Sequence, residues 1–345
     1  MMHAKLLIWL PMIQGTPTIL QLNPWQQTLA QSVTDPADLL EQLELPISLL
    51  PAARQAAELF GLKVPLPYLA RIQKGNPADP LLRQVLPISD ELLTIDGFTA
   101  DPVGDHAAIQ SPGLLHKYHG RALILTTGAC GIHCRYCFRR HFNYVESNPA
   151  KNQWHDALEV IKADNSINEV ILSGGDPLSL SDNKLLELVQ KLEKIPHLKR
   201  LRFHTRLPVV LPERITAKFL TLIENTRFTT VIVLHINHAQ EIDNSVKSIC
   251  NAISKTGTQL LNQAVLLAGI NNSVQSLCDL SDQLNDCGIL PYYLHQLDRV
   301  SGASHFEVND AQAMQLHHEL QTCLPGYLVP KLVREIAGEM SKSTL

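Results

Sequence analysis

From Arg121 onward the chain repeats one pattern, a short apolar or β-branched run followed by a longer amphipathic stretch, at spacings of about 30 to 45 residues. Short runs of this kind read as strands, and the longer stretches with apolar residues every three or four positions read as helices. The runs fall at 122–127, 169–173, 200–205, 230–236, 259–268 and 290–296, with helical patterns near 152–164, 182–194, 213–225, 241–255, 273–287 and 309–322. Strands separated by helical crossovers lie parallel, because each crossover returns the chain to the same end of the sheet. The pattern therefore predicts an α/β fold, a partial (βα)6 barrel that stops two units short of the eight of a closed barrel. A doubly wound open sheet uses the same alternation and is the competing architecture.

Residues 1–105 read differently. They carry helix-like amphipathic patterning, short apolar runs and many prolines (Pro46, Pro51, Pro65, Pro67, Pro77, Pro80, Pro87). This predicts a helical N-terminal region over 1–105 and the barrel over 106–345. With 45% hydrophobic residues the chain can bury a large core. The formal net charge of −4 is spread without long runs of one sign, which argues against a nucleic-acid or membrane footprint and for a small partner. The apolar stretch at 6–12 is cut by Pro11 and lacks a small-residue cleavage site, so it does not read as a signal peptide. No run approaches the ~20 apolar residues of a membrane span. Seven cysteines, three of them crowded together and four scattered, do not make a disulfide framework and point to a reducing compartment, the cytoplasm.

Nearly every strand ends in chemically capable residues. The first leads into the crowded cysteines, the second into Ser173-Gly174-Gly175-Asp176 and the third into His204-Thr205-Arg206. The fourth reaches His235-Ile236-Asn237-His238, the fifth ends at Gly269-Ile270-Asn271, and the sixth at His295-Gln296-Leu297-Asp298. In a parallel barrel all these ends converge on one mouth, where ligands bind.

The cysteines Cys130, Cys134 and Cys137 form C-x3-C-x2-C, with Tyr136 directly before the last. Three thiolates can hold three irons of a [4Fe–4S] cluster and leave the fourth iron open to chelate S-adenosylmethionine (SAM). A structural zinc site is the alternative, with His133 or His141 as a fourth ligand, and would make the chain a non-catalytic binding module. At the next strand end, Gly174 and Gly175 offer bare backbone to the SAM amino group and Asp176 an acceptor for it.

The chain resembles the lysine 2,3-aminomutase family of radical SAM enzymes, and within it the shorter branch that makes β-lysine for modification of translation elongation factor P. The resemblance spans about residues 75 to 345. It is carried by Asn76-Pro77-Ala78-Asp79-Pro80-Leu81, Asp101-Pro102-Val103, the cysteine segment with Phe138-Arg139-Arg140, Ser173-Gly174-Gly175-Asp176-Pro177-Leu178, Pro208-Val209-Val210-Leu211-Pro212 and Gly326-Tyr327-Leu328-Val329-Pro330. It implies a radical-SAM barrel and a second cofactor, pyridoxal 5′-phosphate (PLP), carried by the lysine that falls on Lys342. Lys331 competes for that role by spacing alone. The phosphate-binding group falls on Lys117, Tyr118 and Arg121, the arginine for the substrate α-carboxylate on Arg139, and a carboxylate for the lysine ε-ammonium on Asp298.

The activity so implied is the 1,2-amino shift from L-α-lysine to β-lysine, with a reductant protein such as flavodoxin or ferredoxin and an indirect link to elongation factor P and its ligase. An aminomutase for another amino acid, such as glutamate, is the alternative within the family. Two departures stand out. Glu335 occupies the place of a second aspartate for the ε-ammonium, and the chain ends shortly after Lys342, without the cysteine-bearing extension of longer aminomutases.

Overall fold

The computed structural model describes residues 23–144 and 154–345; the apolar stretch at 6–12 lies outside the described residues. Five short helices come first, α1 (Pro24–Ala30), α2 (Pro36–Gln42), α3 (Leu50–Leu59), α4 (Leu66–Leu69) and α5 (Pro80–Arg83). Proline and aspartate set their starts. Asp35 accepts from Ala37 N ahead of Pro36, and Asp79 accepts from Leu81 N and Leu82 N ahead of Pro80, each pairing a side-chain cap with a proline whose missing N–H costs nothing in the first turn.

An antiparallel hairpin, β1 (Ile109–Ser111) and β2 (Leu114–Tyr118), then leads into the βα repeat. The repeat runs β3 (Arg121–Thr127), α6 (His155–Ala163), β4 (Glu169–Gly174), α7 (Asp182–Glu193), β5 (Arg200–Thr205), α8 (Leu207–Val210), α9 (Ala217–Asn225), β6 (Thr229–Leu234), α10 (Asn244–Ser254), β7 (Gln259–Val265), α11 (Val274–Asp286), β8 (Leu290–His295), α12 (Asp310–Cys323) and β9 (Lys331–Arg334). A final pair of residues, β10 (Ser343–Thr344), adds antiparallel to β9.

Among the described residues ten strands follow one another in strict chain order, and every pairing from β3 to β9 is parallel. A doubly wound sheet must reverse its strand order partway. No reversal occurs, and the fold is the partial barrel. The six expected strands are all present. The parallel set also gains β9, and the hairpin and β10 flank it. Lys331 follows Pro330 in a strand-like run, which is β9, whereas His116-Lys117-Tyr118 puts charged or polar residues on a short strand and removes the apolar run that marks one.

Strand β4 is buried along its whole length, as a central parallel strand covered on both faces must be. In β5, Leu201, Phe203 and Thr205 are buried while Arg202 and His204 are half-buried. The first set faces the helices, where Phe203 meets Phe219 edge-on at 5.8 Å, and the second faces the barrel lumen. One continuous apolar core joins Trp25, Leu39 and Leu82 of the N-terminal helices to Phe203, Leu234 and Leu332 of the barrel. Removing a buried ring such as Phe203 would cost about 3–5 kcal/mol. Among the described residues no helix is long and apolar enough to cross a membrane.

Candidate active site

The cysteine loop leaves the C-terminal end of β3 and is held from beneath by the N-terminal helices. His133 N donates to Lys63 O at 3.0 Å, Arg135 N to Gln84 O at 2.9 Å, and Lys63 Nζ to Cys130 O at 3.0 Å. Glu91, fully buried, accepts from Arg135 Nε at 2.8 Å and from Arg140 NH2 at 2.7 Å. Both guanidiniums lie 4.9 Å from the Phe60 ring centroid. Arg135 spends its remaining donors on Phe60 O and Gly61 O. Two cations on one loop thus share a single carboxylate from another part of the chain, an arrangement that fixes the loop because no buried charge can leave without its partner.

On this scaffold the three thiols feel one another. Burial and then the neighbouring thiol of Cys134 push Cys137 up to about 11, and burial followed by Cys137, Asp176 and Cys134 pushes Cys130 well above the ordinary thiol value. Ligation by a metal cluster would discharge that cost, since thiolates crowded in a buried site require cationic partners. Cys134 already has one, as Arg206 NH1 donates to its Sγ at 2.7 Å. The two histidines that a zinc site would draw on are engaged elsewhere. His133 Nδ1 contacts Gly61 O at 2.8 Å with its ring stacked on Phe60, and His141 Nε2 contacts Ser301 O at 3.1 Å. Three thiols in one supported loop, with both neighbouring histidines engaged elsewhere, are a donor set that fits a cluster with one open iron.

The Gly-Gly-Asp turn sits against this loop, with Gly175 N donating to Thr127 O at 2.7 Å and Asp176 N to Ala129 O at 2.9 Å. A Cβ on Gly175 would lie 2.3 Å from Ala129 O, and Gly174 has φ +127°, a conformation closed to L side chains. The glycines are thus required by backbone packing against the cysteine loop. The expectation for Asp176 needs correction. Its carboxylate already accepts from Leu178 N (2.9 Å), Thr205 Oγ1 (2.7 Å), Arg206 N (2.7 Å) and Leu207 N (3.0 Å). It ties β4 to the end of β5 and has little acceptor capacity left for a ligand amine.

A second cluster of charges lies deeper in the mouth. Asp105, buried, joins Lys117 Nζ on β2 (2.6 Å) to Arg139 Nε (2.6 Å). Lys117 Nζ also donates to Val103 O at 2.9 Å and to Glu335 Oε1 at 2.8 Å, and Glu335 Oε2 in turn pairs with Lys342. Burial and then the Glu335 charge push the Tyr118 phenol up, while Arg121 lies over the Tyr118 ring at 4.7 Å. Burial works to push Glu335 up, but Lys342 and Lys117 hold it down at about 2. Asp298, at the end of β8, is pushed up to about 7 by burial and by the Glu335 charge, against the opposing pull of Lys342 and Lys117. Lys331, at the exposed start of β9, takes no part.

The structure therefore brings Lys117, Tyr118, Arg139, Asp298, Glu335 and Lys342 into one electrostatic neighbourhood. Two internal pairings join this cluster: Lys117 is shared between the carboxylates of Asp105 and Glu335, and Glu335 binds two lysines of the chain itself. Neither is visible in the sequence, because the partners are up to 218 residues apart. Asp105 and Glu91 were also missed. Asp105 stands two residues after the quoted Asp101-Pro102-Val103, and nothing local marks it as buried. His204 completes the pocket. Burial and then the charges of Arg202, Lys342 and Arg139 drive its pKa well down, and its Nε2 is buried with no hydrogen-bond partner. Three cations (Lys117, Arg139, Lys342) against two firmly ionised carboxylates, with an unpartnered imidazole nitrogen beside them, fit an anionic, hydrogen-bonding ligand such as a phosphorylated pyridoxal.

Residues 124–257 match the model of the radical SAM superfamily. Over 327 residues the chain is 49% identical to an L-lysine 2,3-aminomutase of Haemophilus influenzae, covering 95% of this chain and 97% of that one. It is 48% identical to an L-lysine 2,3-aminomutase of Escherichia coli, covering 93% and 94%. A more distant relative of the same name from Acetoanaerobium sticklandii is 32% identical over 93% of this chain and 78% of its own length. With its strand order, its three-thiol loop and its charged mouth, this chain belongs to the lysine 2,3-aminomutase family of the radical SAM superfamily.

Proposed function

We propose that the protein is a radical SAM, PLP-dependent aminomutase that converts L-α-lysine to β-lysine by a 1,2-amino shift. The reading is carried by one juxtaposition: the three thiols of Cys130, Cys134 and Cys137 share a barrel mouth with Lys342, Arg139 and Asp298. In this reading Cys130, Cys134 and Cys137 would hold a [4Fe–4S] cluster that with SAM would supply radical chemistry, and Lys342 would hold PLP, which would supply the π system that lets an amino group pass to a neighbouring carbon.

The chain's own residues do the positioning. Arg139, oriented by Asp105, is placed to grip the substrate α-carboxylate through a planar fork. Asp298 is placed to receive the ε-ammonium, and a carboxylate pushed up to about 7 gains most from a cation brought beside it. Holding both ends of the substrate fixes which carbon faces the radical source. Lys117, Tyr118 and Arg121 hold the phosphate, and loading PLP there and on Lys342 would release Glu335 to share the ε-ammonium. Gly174 and Gly175 let the β4 turn close against the cysteine loop, so that SAM meets backbone beside the cluster. A glutamate substrate would bring a second carboxylate toward Asp298 and Glu335, a repulsion that favours lysine.

We assign the described residues 23–105 as a helical cover that clamps the cysteine loop, within the N-terminal region expected over 1–105, and 106–345 as the catalytic barrel. A flavodoxin or ferredoxin would supply the electron in the cytoplasm, and the β-lysine would serve modification of elongation factor P. Anaerobically reconstituted enzyme incubated with SAM, PLP and isotope-labelled lysine should form labelled β-lysine, whereas the Lys342→Ala variant should retain SAM cleavage and lose the amino shift. Full mutase turnover in that variant would refute the assignment.

A further inference from the structure

One heavily bonded cation in the mouth, with only its Nε left without a partner, is one that the proposed chemistry does not use. Arg206 follows β5, and its guanidinium is buried at 6% exposure. NH1 donates to Cys134 Sγ at 2.7 Å and to Tyr136 Oη at 2.8 Å, and NH2 to Gln84 Oε1 at 2.6 Å, Glu241 Oε2 at 2.8 Å and Tyr68 Oη at 3.3 Å. The anchors are themselves fixed. Glu241, fully buried, accepts on its other oxygen from Asn237 N at 2.8 Å and His238 N at 3.1 Å, and Gln84 is held by the Pro80 carbonyl. The Arg206 main-chain N–H is pinned to Asp176. The guanidinium therefore cannot swing away from the sulfur it contacts.

We propose that Arg206 is a tuning residue for the iron–sulfur site: clamped by Glu241 and Gln84, it donates to the Sγ of Cys134 and sets the cluster's reduction potential higher than the three thiolates would alone. This rests on the reading that Cys130, Cys134 and Cys137 ligate the cluster. Reduction adds one electron to a buried site already crowded with thiolate charge. A hydrogen bond to a ligand sulfur and a positive charge beside it stabilise the electron-rich state more than the oxidised one, which raises the potential. Burial strengthens the effect, because little solvent screens it. The paired Glu241 fixes the cation in place and offsets part of its charge, so the N–H to sulfur bond is the directional component.

The test is an EPR-monitored redox titration of anaerobically reconstituted protein without SAM, alongside iron and sulfide content. The Arg206→Lys variant keeps the charge and loses the fork, and should shift the midpoint modestly to more negative potential. Arg206→Gln should shift it further. Should Arg206→Gln not accumulate because Glu241 is left unpaired, the double variant R206L/E241Q removes both charges together with the donor to sulfur and should still titrate below the wild-type potential. A merely structural role would lower thermal stability and leave the potential of the loaded fraction unchanged. Variants with full iron content that titrate at the wild-type potential overturn the proposal. Cys134→Ala separates the underlying reading, for an intact cluster in that variant would refute Cys134 as a ligand whatever the potentials do.

Discussion

The two halves of the barrel mouth hold their charges in opposite ways. Under the cysteine loop the charges are dry and paired with fixed partners: Glu91 lies between Arg135 and Arg140, and Arg206 lies on Glu241, all at 6% side-chain exposure or less. In the lysine pocket they are partly open to solvent. Lys117 bridges two carboxylates, Glu335 bridges two lysines, and Lys117, Glu335 and Lys342 keep 16–21% of their side-chain surface exposed. A dry cluster builds a scaffold; a partly solvated one can trade a partner for a ligand. The contrast teaches that the metal half is preorganised by the fold, while the pocket half is balanced so that an incoming phosphate, carboxylate or ammonium can replace an internal contact.

Substitutions on the scaffold side should break the fold, and those on the pocket side should change chemistry. The largest effect is expected for Glu91→Ala, which strands two buried guanidiniums and should cost about 3–5 kcal/mol. Denaturant unfolding would read that loss, together with poor iron retention on reconstitution. Gly175→Ala should follow at about 1–3 kcal/mol, because its Cβ meets the Ala129 carbonyl backbone.

The pocket should answer to pH. The carboxyl of Asp298 sits at about 7, above its unfolded value, so ligand-free protein is relieved of that charge at low pH and strained by it as pH rises through 7. Asp298→Asn should therefore gain thermal stability over wild type above pH 7, with the gain vanishing below about pH 4. Lysine binding runs the other way. It should tighten up to about tenfold per pH unit as Asp298 ionises and level off above 7, and the Asn variant should lose that slope in a calorimetric titration. The smallest stability effect belongs to Lys342→Ala. Loss of a partly exposed pair should move the unfolding free energy by about 1 kcal/mol or less, while the PLP absorbance disappears.

Legibility followed the range of the interactions. The six βα units, their parallel order and the cysteine spacing are local patterns, and each was readable in a window of a few dozen residues. The hairpin before β3 was not, because Lys117 and Tyr118 break its apolar run and carry polar groups to the mouth. The family motifs located Arg139, Asp298 and Lys342, which the fold does bring to one pocket. What they did not carry was partnership: that Asp105 would join Lys117 to Arg139, that Glu335 would hold two lysines, that Asp176 would be spent on four donors, or that Glu91 would clamp the cysteine loop. Those contacts span tens to hundreds of residues and exist only once the barrel has formed.

The central claim is that three thiolates in one clamped loop leave an iron free to bind SAM. Iron and sulfide analysis with Mössbauer spectroscopy on anaerobically reconstituted protein tests it most directly. The account predicts about four irons and four sulfides per chain, with one iron site whose signal changes when SAM is added. A single bound zinc with no sulfide, or four irons that ignore SAM, would contradict it.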